Sequence, residues 1–155
     1  MLILGIDPGI SITGYGILDY SLSKISLVDY GIIKTSAKEK NNERLYFLFN
    51  KINELLNKFS PDQFAIEEAF YAKNIKSTMV LSQARAVISL AVTKNKIPLF
   101  EYSPKKIKMS VVGNGNASKE QVKYMVSSIL SMKEKKEKFD VYDALAIGIC
   151  HIHQI

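Results

Sequence analysis

The sequence predicts an α/β fold: a mixed five-stranded sheet, a three-strand antiparallel meander extended by two parallel strands, with helices on both faces. Three observations point there. The first 35 residues hold three β-like segments in succession. Beyond them, helical and strand-like stretches alternate. The runs at 2–6 and 63–67 are short and apolar, as buried strands are. With 155 residues, 47% of them hydrophobic, the chain is long enough for one substantial core and too short for two ordinary domains, so a single compact domain over 1–155 is expected.

Taken in order, residues 2–6 lead into Asp7, and Pro8-Gly9 supplies a turn, which leaves a carboxylate at the strand's exit. Thr13 to Tyr20 and Ile25 to Thr35 are rich in Ile, Val, Tyr and Thr, and the short linker from Ser21 to Lys24 favours antiparallel pairing. From Asn42 to Phe59 the positions Leu45, Leu48, Phe49, Ile52, Leu55 and Leu56 recur at helical spacing, until Ser60-Pro61 stops them. Gln63 to Glu67 is a second buried strand ending in acid. Residues 75–95 give a helix with Leu81, Ala84, Ile88 and Ala91 on one face, and Ile97 to Tyr102 a fifth strand. Pro104 to Val112 and Lys119 to Leu130 read as helices around a Gly113-Asn114-Gly115-Asn116 turn, and a last helix starts near Asp140.

The charge is uneven. Residues 104–138 carry nine Lys and three Glu, an excess of six that equals the formal net charge of the whole chain. Such a window suits a polyanion, although a solvated lysine face explains it equally well. The lone Cys150 excludes an intramolecular disulfide framework and a cysteine-based zinc cluster, and a reducing cytoplasm is the expected location. Asp7 and Pro8 interrupt the apolar N-terminus before it reaches signal-peptide length, and no stretch approaches the roughly 20 apolar residues of a membrane span.

Acids at positions that packing would not choose are the chemical signal. Asp7 ends an apolar strand, where an ionised carboxylate is costly unless a metal or a donor compensates it; an Asx turn with Pro8-Gly9 is the plainer reading. Glu67 and Glu68 follow at another strand end, and alternation sends them to opposite faces, so one of them faces solvent. Asp140 and Asp143 are three apart at a helix start and share a face, which also resembles a capping box. Together the acids converge if the strands run parallel. Several carboxylates gathered in one place are what two hard divalent cations need in order to neutralise a phosphodiester under attack.

These residues resemble a known family. GIDPGISITGYGIL, FAIEEAFYAKN, QARA, FEYSPKKIKMSVVGNGNASKEQV and DVYDALAIGICH occur in the order seen in the RuvC Holliday junction resolvases, endonucleases of the ribonuclease H-like fold, and the likeness covers nearly the whole chain. It implies a four-carboxylate catalytic and metal site at Asp7, Glu67, Asp140 and Asp143, and so selects Glu67 over Glu68. It implies two Mg²⁺ per subunit, with Mn²⁺ as a substitute, and a water nucleophile. It further implies DNA contacts at Phe70, Lys73, Asn74, Arg85, Lys108 and Lys119, with Phe70 stacking on junction bases. The implied partners are four-way junction DNA, a second copy in a homodimer formed through the helix at 75–95, and the RuvA-RuvB branch-migration complex, with no membrane.

Two departures stand out. The family's Q-A-R-G reads Gln83-Ala84-Arg85-Ala86, which removes a glycine and keeps the arginine, and the chain stops at Ile155, shorter than many relatives, so contacts from a basic tail are not expected. His151 and His153 read as ordinary residues of the terminal helix. Among other readings, a YqgF-type nuclease lacks the Phe70 and A-K-N segment, an actin-like ATPase needs two lobes, and a silent junction binder needs no acids.

Overall fold

The computed structural model describes residues 1–69, 74–133 and 136–155. Strand β1 (Leu2–Asp7) pairs antiparallel with β2 (Ile12–Ser21), which pairs antiparallel with β3 (Lys24–Lys34). Leu22 and Ser23 make the connecting turn, both with positive φ, the backbone that a two-residue hairpin requires. On the other side of β1 lie β4 (Gln63–Glu67) and then β5 (Leu99–Tyr102), both parallel to it, so the sheet order is β3-β2-β1-β4-β5. This is the predicted mixed sheet.

Helices α1 (Asn41–Phe59) and α2 (Ile75–Lys94) cover one face, packing Leu48, Ile52, Ala84 and Ile88 onto Leu4, Ile6, Phe64 and Ile66. Ser60 in the left-handed region ends α1, its amide donating to the Leu56 carbonyl at 2.9 Å, and Pro61 prevents continuation. Helices α3 (Pro104–Val112), α4 (Lys119–Ile129) and α5 (Phe139–Ile152) share the other face with Ile3, Leu18 and Ala65. One boundary differs from expectation. Ile97 and Pro98 belong to the turn that closes α2, where the Ile97 amide donates to the Val92 carbonyl and Lys96 adopts a positive φ, so β5 starts at Leu99.

Helix α5 is the central piece. Eleven of its fourteen residues are buried, and it lies directly on β1 and β2 because those strands carry no side chain where it crosses. A Cβ on Gly5 would strike the Ala144 carbonyl oxygen, and a Cβ on Gly14 would strike that of Asp140. Gly148 returns the favour from the helix side, its Cα facing Gly5. Glycine serves here for close approach rather than for backbone freedom. The helix start is thereby pressed against the end of β1.

Candidate active site

Asp7 and Glu67 close two parallel strands whose last paired residues are Ile6 and Ile66, so the carboxylates leave the sheet side by side. Alternation along β1 places Asp7 with Ile3 and Gly5, and along β4 it places Glu67 with Ala65, the face that α5 covers. Glu68 lies past the strand end, exposed, its amide donating to the Tyr102 carbonyl at 2.8 Å.

The turn after Asp7 is held without it. The Gly9 amide donates to Thr13 Oγ1 at 3.3 Å and the Thr13 hydroxyl donates to the Gly9 carbonyl at 2.6 Å, so the Asx turn does not form. The capping reading of Asp140 and Asp143 fails as well. The N-cap of α5 is Lys138, and no side chain bonds the first helical amides there. That leaves both acids on one face of the helix start, near its positive dipole end.

Asp7, Glu67 and Asp143 line one cavity of about 420 Å³ with Arg85, Lys108 and Lys119, and the exposed Glu68 stands at its edge as a fourth acid of the lining. Asp140 is outside that lining, one turn earlier on α5, yet its charge raises the pKa of both Asp7 and Asp143. Burial is the main cause of every shift in the group. It holds the Asp7 carboxyl well above the carboxylate range, with Asp143 and Glu67 adding repulsion. Glu67 is pushed up to about 7 by burial and then by Asp143, against the pull of Lys108, Lys119 and Arg85. Asp143 is raised by burial although Lys119 Nζ stands 3.7 Å from its Oδ2. Burial, helped by mutual repulsion, thus disfavours the charged form of all three acids.

Among the described residues, no three His, Cys, Asp or Glu side chains are already gathered as a ligand set. The fit to a divalent cation lies in donor chemistry and place: carboxylate oxygens are the ligands such ions take, and a cation would offset the cost of holding buried, neighbouring carboxylates ionised.

Among the described lysines of the 104–138 window, only Lys108 from α3 and Lys119 from α4 reach the cavity. Lys123 instead lies over the rings of Phe139 and Tyr142, at 5.4 and 5.0 Å, and Lys106 over Tyr102 at 5.3 Å. Asn74 caps α2, its Oδ1 accepting from the Ser77 amide at 2.8 Å. Phe70 and Lys73 lie outside the described residues. His151 is buried away from the acids, between Tyr102 and Gln63 at 2.7 Å each, and His153 pairs with Ser110. Sequence reading missed the ion pair of Arg85 with Glu101 and the role of Gly14. The alternate glycines of T-G-Y-G were the available signal for the second; nothing local marked the first.

The family model described as crossover junction endodeoxyribonuclease RuvC matches residues 3–151. A protein of that description from Ruminiclostridium cellulolyticum is 48% identical over 97% of this chain and 91% of its own length. Another, from Pelotomaculum thermopropionicum, is 44% identical over 99% and 93%. Thermus thermophilus RuvC, solved in complex with Holliday junction substrate, superposes with a TM-score of 0.91 at 32% identity, covering 98% of this chain and 93% of that one. The yeast mitochondrial Holliday junction resolvase shares the fold, with a TM-score of 0.69 at 19% identity.

Proposed function

This chain belongs to the RuvC family of crossover junction endodeoxyribonucleases and is a Holliday junction resolvase, and we propose that it makes paired symmetrical nicks in four-way DNA by two-metal-ion hydrolysis, leaving 5′-phosphate and 3′-hydroxyl ends. The observation that carries the mechanism is the convergence of Asp7, Glu67 and Asp143 on one cavity beside two lysines, with Asp140 adjacent.

The family's nucleases depend on divalent metal, and the four acids are the residues to hold it. Two Mg²⁺ ions, or Mn²⁺ in their place, would supply the positive charge that activates water and stabilises the departing 3′-oxygen. Asp7 and Glu67 would bind them from the sheet and Asp140 and Asp143 from α5, so the ligands would be fixed on rigid elements. Lys108 and Lys119 offer charge to the phosphates of the cut strand, which makes binding salt-dependent. Phe70 would stack on a base, with Lys73 and Asn74 as further DNA contacts. No covalent enzyme intermediate is involved.

Paired nicks call for two sites related by a two-fold axis. The outer face of α2 exposes Ile75, Met79, Ala86 and Leu90, an apolar stripe that suits burial against a second copy. A homodimer formed there, working with the RuvA-RuvB branch-migration complex in cytoplasmic recombination and repair, completes the reading. Among the described residues no helix is long and apolar enough to cross a membrane.

The test is cleavage of a synthetic mobile four-way junction in Mg²⁺, scored for symmetrical nicks, with Asp7→Asn as control. The variant should bind the junction and cut on the order of a thousandfold more slowly, the rate equivalent of several kcal/mol of lost transition-state stabilisation. Binding without cutting by the wild type, in either Mg²⁺ or Mn²⁺, would make it a silent binder. Equal cutting of linear duplex would remove the junction selectivity and leave a nuclease.

A further inference from the structure

Arg85 leaves α2 between the buried face of Ala84 and Ile88 and the outer face of Met79 and Ala86, and only 12% of its side chain is exposed. Its Nη1 donates to the main-chain carbonyl of Glu67, and its Nη2 lies 2.7 Å from Oε1 of Glu101. Glu101 belongs to β5, where it pairs with Ile66. One guanidinium therefore ties α2, the last residue of β4 and the neighbouring strand together.

A planar fork suits this task because it presents two donors in fixed relation, which a lysine ammonium does not. Both of those donors are directed to acceptors within the chain. A nearly buried guanidinium is itself costly without a counter-ion, so Glu101 is what allows Arg85 to remain there. The carboxylate set in motion by any shift at the end of β4 is that of Glu67. Displacements of a fraction of an ångström matter in a constellation of this kind.

We propose that Arg85, anchored by Glu101, is a positioning residue that fixes the end of β4 and so holds the Glu67 carboxylate opposite Asp7 and Asp143. This assigns Arg85 to positioning first, in place of the DNA-binding role that the family resemblance implies. The inference rests on the reading of Glu67 as a metal-holding acid. It also gives the outward stripe of α2 a direct mechanical link to the site, through the same helix.

The experiment compares the full-length wild type with Arg85→Lys, Glu101→Gln and the double variant. Three quantities are read: junction affinity without metal, Mn²⁺ binding by calorimetry without DNA, and single-turnover nicking across a Mg²⁺ titration. Glu101→Gln keeps an acceptor oxygen at a half-exposed position, and thermal unfolding verifies that it folds. Expected are junction affinities within about twofold of wild type, Mn²⁺ binding weakened about tenfold in each single variant, and nicking lost at limiting Mg²⁺ but partly regained at saturation. The double variant should be no worse than Arg85→Lys, because both changes break one unit. Lost junction affinity with unchanged Mn²⁺ binding would overturn the proposal in favour of a DNA contact, and additive losses would remove the link between the two residues. A wild type that neither binds Mn²⁺ nor cuts would defeat the metal-site reading and the inference with it. Active wild type with variants indistinguishable from it would defeat the inference alone.

Discussion

On one face of the sheet, α1 and α2 pack onto the aliphatic and aromatic side chains of Leu4, Ile6, Ile17, Phe64 and Ile66. On the other, α5 rests on Gly5 and Gly14 with its backbone against the strands. The first face spreads its packing over many aliphatic groups, any of which gives a little when changed. The second has a side-chain core as well, but adds close backbone approaches at Gly5 and Gly14, and these adjoin Asp7 and Asp140 at the same end of the sheet. Tolerance of change and accuracy of placement have been assigned to opposite sides of the same strands.

Gly14→Ala should break that division most visibly. The added methyl has nowhere to go but into the Asp140 carbonyl, so α5 must lift; a shift near 1 Å at reacting groups costs on the order of a hundredfold in rate. Stability should fall by about 1–3 kcal/mol, as overpacking does. Single-turnover nicking and thermal unfolding measured together would separate the two effects, and a rate loss no greater than the folding loss explains would argue against the placement role.

A smaller effect, through charge alone, is expected from pH. In the metal-free protein Glu67 holds its proton up to about 7, against an ordinary 4.5. The folded state therefore binds more protons than the unfolded one between those values, and the stability present below pH 4.5 is lost as pH rises through about 7, by something on the order of 2–3 kcal/mol. Glu67→Gln should flatten that part of the profile, and added Mg²⁺ should stabilise the wild type more at pH 8 than at pH 5. Denaturant melts at several pH values would show it; a metal-free protein gaining stability from pH 5 to 7 would contradict it.

On the aliphatic face the expected change in chemistry is smallest. Leu48→Ala should lower stability by about 2–5 kcal/mol and yet leave the nicking rate of the folded fraction within about twofold of wild type. A matching drop in rate would mean the two faces are coupled through the sheet.

Sequence reading reached the strands and helices because alternation and helical spacing are local signals, and it erred where a turn borrows residues from a strand pattern, as at Ile97 and Pro98. Asp7 and Glu67 were visible as acids in apolar company. Their juxtaposition needed the parallel register of β1 and β4, which no local pattern encodes. The capping-box reading of Asp140 came from spacing alone; Lys138 at the N-cap overturned it. Lysine density over 104–138 pointed to the right part of the chain but overstated the site, since among the described lysines only Lys108 and Lys119 line the cavity while Lys106 and Lys123 lie over aromatic rings.

Docking of α5 also sets an order of events in time. It follows every other element in the chain, and its partners are the first two strands, so its contacts close the longest loops of the fold. Long-range contacts form slowly. Until they form, Asp140 and Asp143 are not confined beside Asp7 and Glu67, and a partly folded molecule escapes the crowding of like charges. A nuclease held together in this manner is expected to gather its four acids late, as a last act of folding.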